Sequence, residues 1–272
     1  MSTPKVIKAD LGDREFINLY GLSDVHLGSP YADIKQAKRF IEKIRRDPNG
    51  VAVLLGDLAD STIKNSVGNV YKSVMSPQEQ IEQAGEMLEP IKDKILAAIE
   101  GNHERRIIKE VGVSPTKLII KGLGLDVKKI YSDNAFVLFL CYANMCRGGK
   151  RVCFSIFAMH GAGGGRKMGG KVNRMADMQG SIIADVYISG HTHQQVAFPR
   201  EIYIADTRKA TLIPTRSLFV NSGSFLSWGG YGIEQGYPPS VVGAPYIKLW
   251  AERVHSGKKD VTMKRKQVVM TV

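Results

Sequence analysis

The chain has 272 residues, of which 43% are hydrophobic, enough for one large domain with a substantial core or for two small ones. No apolar run approaches the roughly 20 residues that cross a bilayer, and the polar residues 1–13 lack the apolar segment of a secretory signal, so we expect a cytoplasmic protein without a membrane partner. The formal net charge of +12 attracts polyanions such as nucleic acid, although a basic surface can also serve solubility alone.

Strand and helix signals alternate through the first half of the chain. Short apolar runs predict strands, and apolar residues with a period near 3.6 predict helices. The strand candidates are Phe16–Ser23, Val51–Leu55 and Ile95–Ile99, and the helix candidates are Asp33–Arg46 and Pro77–Ile91. This alternation predicts a mostly parallel sheet covered by helices.

The second half is richer in strand signals. The strand candidates are residues 135–143, 152–159, 186–189, 202–205, 211–214 and 217–220, with an edge strand at 261–272. A helix is expected to begin near Lys171 and to end over Asp177–Ala184. The Gly/Pro-rich segment Trp228–Pro245 is expected to be a long loop.

The three cysteines match no zinc-site spacing. Cys141, Cys146 and Cys153 lie in or beside apolar stretches. We expect buried or half-buried reduced thiols, because a reducing compartment disfavours a disulfide.

Five of the six histidines lie in short motifs that follow or end apolar strands. The carboxyl ends of strands converge in α/β sheets, so these motifs are expected along one sheet edge. At a strand end, residues i and i+2 face the same side, as in the pairs Asp24/His26 and His191/His193. Mixed nitrogen and oxygen ligands suit manganese, iron or zinc better than calcium. The motifs are Asp24-Val25-His26, Gly56-Asp57-Leu58-Ala59-Asp60, Gly101-Asn102-His103-Glu104, Met159-His160-Gly161 and Gly190-His191-Thr192-His193.

This ordered set resembles the signature of the calcineurin-like metallophosphoesterase superfamily, which runs D-x-H, G-D-x-x-D, G-N-H-[DE], H and G-H-x-H. The resemblance implies an α/β fold, a four-layer α/β/β/α sandwich. We expect a single domain over residues 1–272, with metal motifs at 24–193 and a β-rich C-terminal part that carries the loop 228–245.

The resemblance also implies a role for each motif residue. Alone, the aspartates would be turn or cap residues and His160 a core histidine; together they match two metal sites. The implied ligands are Asp24, His26 and His193 for the first ion, Asn102, His160 and His191 for the second, and Asp57 as the bridge. His103 matches the histidine that is not a ligand, and Asp60 the carboxylate that orients it.

Two cations about 3.5–4 Å apart can hold a bridging hydroxide together with both non-bridging phosphate oxygens. They lower the pKa of the bound water, and a nearby imidazole can protonate the leaving oxygen. We therefore expect a hydrolase that uses a metal-bridging hydroxide and His103 as acid. Its cofactors would be two divalent ions, with manganese favoured over iron, zinc, nickel or cobalt.

Substrate clues come from residues beside the motifs. Ser61 stands where phosphoprotein phosphatases of the superfamily carry a phosphate-binding arginine. Arg166 and Lys167 follow a glycine-rich loop whose backbone amides can approach phosphate, and either Arg105 or Arg106 is expected to face the site. We take Arg105, Arg166 and Lys167 as the substrate-binding candidates. The alternative is that these residues only form a solvated basic surface.

The favoured interpretation is a phosphodiesterase, with DNA, RNA or a nucleotide as its substrate and nuclease activity as one form. The first alternative is a phosphomonoesterase that acts on a small molecule or a phosphoprotein. A remote alternative is a non-catalytic protein-binding scaffold of the same fold. The sequence does not fix the oligomeric state.

Overall fold

The computed structural model describes residues 3–64, 66, 70–144, 148–163, 165–234, 236–256 and 259–270. Its strands are β1 (Lys5–Arg14), β2 (Phe16–Leu22), β3 (Gly50–Leu54), β4 (Ile95–Ile99), β5 (Tyr131–Ser132), β6 (Ala135–Asn144), β7 (Lys150–Met159), β8 (Val186–Ser189), β9 (Gln195–Asp206), β10 (Thr211–Ser222), β11 (Tyr246–Ser256) and β12 (Lys259–Val269). Its α-helices are α1 (Ile34–Arg46), α2 (Pro77–Leu88), α3 (Glu104–Val111), α4 (Pro115–Gly122), α5 (Val127–Ile130), α6 (Met168–Asp177) and α7 (Tyr231–Glu234).

The strands form two six-stranded sheets. One has the order β12-β11-β2-β3-β4-β5, and the other has the order β1-β6-β7-β8-β10-β9. In the first sheet, β2 to β5 are parallel, and the antiparallel pair β11 and β12 closes one edge. The parallel centre matches the alternation of strands and helices along the first half of the chain.

Three buried apolar clusters separate four layers. The cluster between the two sheets includes Leu19 and Val53 from the first sheet and Phe154 from the second. A second cluster packs α1, α2 and α4 on the outer face of the first sheet. A third places Met175 of α6 near Phe219 on the outer face of the second sheet. The α/β/β/α sandwich that the family resemblance implies is confirmed.

Local signals account for the helices beside the first sheet. The Asp33 side chain caps α1 by accepting the Gln36 N–H at 2.9 Å. The buried face of α1 includes Ala37, Phe40 and Ile44, spaced as a helix stripe requires.

Some expected boundaries are wrong. Residues 211–214 and 217–220 belong to one strand, β10, because β9 pairs along its whole length. The helix near Lys171 is α6, which ends at Asp177 and continues only as a 3₁₀ turn to Gly180. β1 was not expected, because the alternation of half-buried and exposed residues on this edge strand makes the segment polar overall. In the described part of the chain, no helix is long and apolar enough to span a membrane.

The expectation of reduced thiols is wrong for two of the three cysteines. Cys141 of β6 and Cys153 of β7 are joined by a disulfide. The reason is the antiparallel register, which sets these residues directly opposite each other with their Cα atoms 4.0 Å apart. Cys146 lies outside the described residues.

Candidate metal centre

The five motifs lie at the carboxyl ends of strands, as expected: β2, β3 and β4 in the first sheet and β7 and β8 in the second. The expectation of a single sheet edge is wrong, because the motifs come from two packed sheets. Backbone hydrogen bonds join neighbouring motifs directly. The Asp24 N–H donates to Gly56 at 3.1 Å and the His26 N–H donates to Asp57 at 3.0 Å. The Gly190 N–H donates to His160 at 2.9 Å. Backbone hydrogen bonds alone therefore hold the loops in register.

The backbone at these loops is strained. Seven non-glycine residues of the described part have a positive φ, and all but Ala210 belong to the motifs or directly follow one. L-residues rarely adopt this conformation, and each instance costs on the order of 1–3 kcal/mol. Strain concentrated at one place indicates a functional constraint on where these side chains point. The six residues are Asp24, His26, Asp57, Ser61, His191 and His193.

One group of potential ligands consists of Asp24, His26 and His193, whose donor atoms lie within 4.8 Å of one another. Asp24 Oδ1 is 3.1 Å from His193 Nε2, and His26 Nε2 is 3.2 Å from the same nitrogen. Asp24 and His26 are almost fully buried. Asp24 Oδ1 accepts no well-formed hydrogen bond, which is costly for a buried carboxylate oxygen unless a cation neutralises it.

A second group consists of Asp57, His160 and His191. Asn102 completes it, because its Oδ1 is 2.8 Å from His160 Nε2 and 2.7 Å from His191 Nδ1. Asp57 Oδ2 lies 3.3 Å from His160 Nε2 and 3.9 Å from His26 Nε2 of the first group. The Asp57 carboxylate thus stands between the two groups.

Surrounding groups orient these ligands. His160 Nδ1 is 2.6 Å from the Leu55 carbonyl, so Nδ1 carries the proton and Nε2 is free to face the site. Asp24 Oδ2 accepts the His191 N–H at 2.9 Å, which leaves Oδ1 for the centre. Such contacts fix the tautomer and direction of a ligand before an ion binds.

The charges within the centre are strongly interdependent. Burial opposes ionisation of Asp57, but the neighbouring His160 and His103 outweigh it and hold the pKa of this carboxyl below its usual range. Burial alone would lower the pKa of His26, yet hydrogen bonds with Asp24 and Asp60 raise it to about 10. Without an ion, the carboxylates stay ionised and the protonated His26 balances part of their charge. Binding of a cation would release the His26 proton.

His103 is held differently from the seven side chains of the two groups. Its backbone N–H donates to Asp57 Oδ1 at 2.8 Å, and its ring Nδ1 lies 2.8 Å from the Asp60 carbonyl oxygen. The Asp60 carboxylate is 3.3 Å from both His103 Nδ1 and His26 Nδ1. Burial and repulsion by His26 lower the pKa of His103. His103 lies beside the two ligand groups, and its Nε2 is 4.0 Å from Asp57 Oδ2.

The seven ligands expected from the sequence are therefore brought together in one place. They offer imidazole nitrogens, carboxylate oxygens and one amide oxygen, a mixed donor set that fits two divalent cations. The structure also contains a third cluster of His26, Asp60 and His103. The sequence predicted different roles for its members: a metal ligand, the carboxylate that orients the acid, and the acid itself.

The residues expected to bind substrate are not brought together in the way that the expected ligands are. Arg105 donates to the Asp133 carbonyl. Arg166 is exposed beside Gly236, and the exposed Lys167 caps α6 without a side-chain hydrogen bond. None of these contacts supports the substrate roles, which remain predictions. Gly164 of the glycine-rich loop lies outside the described residues.

Three residues contact the centre that were not among the site candidates chosen from the sequence. Arg106 Nη2 is 3.0 Å from His103 Nε2. The Lys171 ammonium, although its side chain is buried, donates to the Thr192 carbonyl at 2.9 Å. The Glu104 carboxylate accepts backbone N–H groups of the Asp57 loop. Helical spacing from His103 indicates Arg106, because residues three apart share a helix face; no comparable sequence signal indicates Lys171.

The Ser61 side chain is not accessible to a substrate. The residue is buried, and its N–H donates to Gln80 Oε1 at 2.9 Å. A serine side chain here packs inside the loop, so this position does not supply a phosphate-binding group.

Comparison with known proteins places this geometry in a family. A family model described as calcineurin-like phosphoesterase matches residues 17–195. No curated protein sequence matches the chain significantly.

Several solved structures are similar over most of the chain. Vps29 from Chaetomium thermophilum is 10% identical, with 93% of this chain and 97% of that chain covered and a TM-score of 0.43. A double mutant of Vps29 from Entamoeba histolytica is 14% identical, with 93% and 99% covered and a TM-score of 0.37. A conserved uncharacterized protein from Streptococcus pneumoniae, titled a predicted phosphoesterase, is 10% identical, with 93% and 98% covered and a TM-score of 0.37. Likenesses at this level carry no argument about activity. The family match spans more than half of the chain and includes every metal motif, and the protein therefore belongs to the calcineurin-like phosphoesterase family.

Proposed function

We propose that the protein is a metal-dependent phosphodiesterase that acts on nucleic acid or nucleotides. The observation that carries the hydrolase part is the arrangement around Asp57. Its carboxylate stands between two groups of nitrogen and oxygen donors, while its other oxygen holds the backbone of His103. Family membership supports phosphoester hydrolysis as the reaction class.

The proposed ligands follow the two groups. Asp24, His26 and His193 would hold one divalent ion, and Asn102, His160 and His191 would hold the other, with Asp57 shared. The mixed donors favour manganese, with iron, zinc, nickel and cobalt as alternatives. When bound, two such ions activate a water molecule and neutralise the charge of the phosphate.

His103 is the proposed acid. Its Nδ1 is fixed by the Asp60 carbonyl at 2.8 Å, so Nε2 is the atom that can exchange a proton with a substrate. Burial lowers the pKa of the imidazole, so the protonated form gives up its proton readily. The leaving alkoxide would take that proton as the ester bond breaks, and Asp60 would keep the ring in position.

A basic surface on α1 supports a polyanionic substrate. Within the helix, six Lys and Arg residues accompany a single acid, Glu42. A groove of about 590 Å³ along this helix is lined by Lys35, Lys38, Arg39 and Arg46, together with Ile34 and Glu42. Phosphate groups of a strand are neutralised by such side chains.

Two backbone hydrogen bonds connect the start of α1 to the centre through Phe225. The Asp33 N–H donates to the Phe225 carbonyl at 2.7 Å, and the Phe225 N–H donates to the Asp24 carbonyl at 2.9 Å. A nucleic-acid strand bound along α1 would have to reach the Asp24 side of the site from this end of the helix. We propose a nucleic acid because a small phosphomonoester would not use the cations of α1.

The diesterase proposal is tested by comparing bis(p-nitrophenyl) phosphate with p-nitrophenyl phosphate in the presence of Mn²⁺. Faster turnover of the diester is expected. Faster turnover of the monoester would replace the proposal with a phosphomonoesterase, and no turnover of either by protein with both ions bound would favour a scaffold.

The nucleic-acid proposal needs a separate measurement. Binding of a single-stranded oligonucleotide should weaken steeply with salt. The triple substitution of Lys35, Lys38 and Arg39 by Gln should weaken binding and reduce the salt dependence. Substitution of the exposed Lys121, Lys128 and Lys129 by Gln removes the same charge elsewhere and should have a smaller effect. Equal effects would make the charge a general property of the surface.

A further inference from the structure

Arg106 donates a hydrogen bond to the histidine proposed as the acid. Arg106 Nη2 is 3.0 Å from His103 Nε2, and a guanidinium can only donate. His103 Nδ1 is 2.8 Å from the Asp60 carbonyl and therefore carries the ring proton. The two contacts together assign His103 Nε2 as an unprotonated acceptor in this structure.

This contact places the Arg106 guanidinium beside the nitrogen that would face the leaving oxygen of a bound substrate. A phosphoester bound beside His103 offers non-bridging oxygens that match the paired N–H groups of arginine.

Other cationic or polar groups near this position are already engaged. Ser61 is buried against Gln80, so the position that carries arginine in phosphoprotein phosphatases gives nothing to a substrate here. The neighbouring Arg105 donates to the Asp133 carbonyl. Arg106 is half-buried and points at His103 from one turn of α3 further on.

We propose that Arg106 is a substrate-binding residue, whose guanidinium moves from His103 Nε2 to the substrate phosphate when the site is filled. The role rests on the proposed hydrolase function. It supplies from α3 the phosphate contact that Ser61 does not supply from the loop after β3.

The test compares Arg106→Met and Arg106→Lys with the unchanged protein, all loaded with Mn²⁺. Two quantities are measured: the affinity for inorganic phosphate, from its inhibition and from calorimetry, and kcat/KM for bis(p-nitrophenyl) phosphate. Loss of a charged hydrogen bond to phosphate should reduce each quantity roughly 10- to 100-fold in the Met variant. The Lys variant should lie between, because it keeps the charge without the paired geometry.

Two controls separate a substrate contact from a structural effect. Lys109→Met removes one exposed charge from the same helix and should change neither quantity more than about twofold. Bound Mn²⁺ per chain should remain unchanged in Arg106→Met. Normal phosphate affinity and kcat/KM in Arg106→Met would overturn the inference, as would a loss traced entirely to lost metal.

The outcome is distinguishable from failure of the proposed function. If the unchanged protein hydrolyses neither phosphoester, the hydrolase proposal fails, and phosphate affinity still reports on Arg106. If the unchanged protein is active and Arg105→Met is the variant that loses phosphate affinity, the assignment to Arg106 is wrong and the choice of Arg105 is restored.

Discussion

The Glu104 carboxylate accepts the backbone N–H of Asp57 at 3.0 Å and, with its second oxygen, the backbone N–H of Ala59 at 3.1 Å. Both residues are buried, and Glu104 lies at the start of α3, directly after His103. A side chain on Gly101 would overlap both Glu104 and Asp57, so the glycine lets the two loops approach. The acid after His103 therefore fixes the loop that carries the proposed bridging ligand.

Glu104→Gln should weaken both the fold and the metal centre. Both oxygens of the Glu104 carboxyl group can accept, whether or not it is protonated. The amide can accept only one of the two N–H groups, and its NH₂ faces the other donor, which leaves a buried group unsatisfied at a cost of about 1–3 kcal/mol. We expect a lower free energy of unfolding in urea and fewer bound Mn²⁺ ions per chain. Glu86→Gln, on the exposed face of α2, should change neither; an unaltered Glu104→Gln protein would show that the contact is dispensable.

The same carboxyl should give the metal-free protein a pH-dependent stability. Burial, with repulsion by Asp57 and Glu100, raises the pKa of Glu104 to about 8 from an ordinary value of 4.5. Between these values the folded state keeps a proton that the unfolded state has lost. The contribution of Glu104 to stability is therefore fully present below 4.5 and decreases as the pH rises toward 8.

The measurement is urea unfolding of chelator-treated protein from pH 5 to pH 9. The difference in stability between the unchanged protein and Glu104→Gln should shift against the unchanged protein as the pH rises. A difference that is constant with pH, or that shifts the other way, would contradict the raised pKa.

His103→Ala should reduce turnover without removing metal. Loss of a general acid typically lowers kcat by roughly 10²- to 10⁴-fold. The matched substitution His160→Ala removes a proposed ligand and should reduce both turnover and bound Mn²⁺. Elemental analysis beside the rate assay separates the two cases, and metal loss from His103→Ala would reassign that histidine as a ligand.

Lys171→Met should weaken metal binding while keeping or increasing stability. The Lys171 side chain is 5% exposed, and its ammonium donates to the Thr192 carbonyl between His191 and His193. Methionine fills similar space without a buried charge, so the fold loses a desolvation cost. The loop between the two ligands loses its anchor, and such supporting contacts are typically worth 10- to 100-fold in metal affinity.

A Mn²⁺ titration with thermal unfolding of the metal-free protein measures both quantities for Lys171→Met. Lys167→Met, in the exposed cap of the same helix, is the control. Unchanged metal affinity in Lys171→Met would show that the carbonyl contact has no part in holding the loop.

The sequence was sufficient to predict the centre because its ligands follow strands in short, recognisable blocks. Asp24 and Asp57 follow neighbouring parallel strands, so their proximity followed from local patterns. The proximity of Asp24 and His193, which follow strands of different sheets, followed only from the family resemblance. The role of Arg106 depended on knowing that α3 begins at Glu104, and that of Lys171 depended on the packing of α6 against a distant loop. Helical spacing indicates the Arg106 contact once the start of α3 is known, whereas the Lys171 contact leaves no local pattern in the sequence.

The fold was predicted in its parallel centre and less well at its edges. Apolar strands such as β3 are buried on both faces and stand out in the sequence. Edge strand β1 is polar over much of its length, and the Cys141–Cys153 pair depends on the register between β6 and β7, which composition does not reveal.

The central claim, a two-metal phosphoester hydrolase, is tested most directly by returning Mn²⁺ to chelator-treated protein while following hydrolysis of bis(p-nitrophenyl) phosphate. The account predicts no turnover without metal and a rate that reaches its plateau at about two ions per chain. It also predicts that Asp57→Asn, which replaces the shared carboxylate, neither binds two ions nor turns over substrate. Full activity in the metal-free protein, or two bound ions without any turnover of phosphoesters, would contradict it.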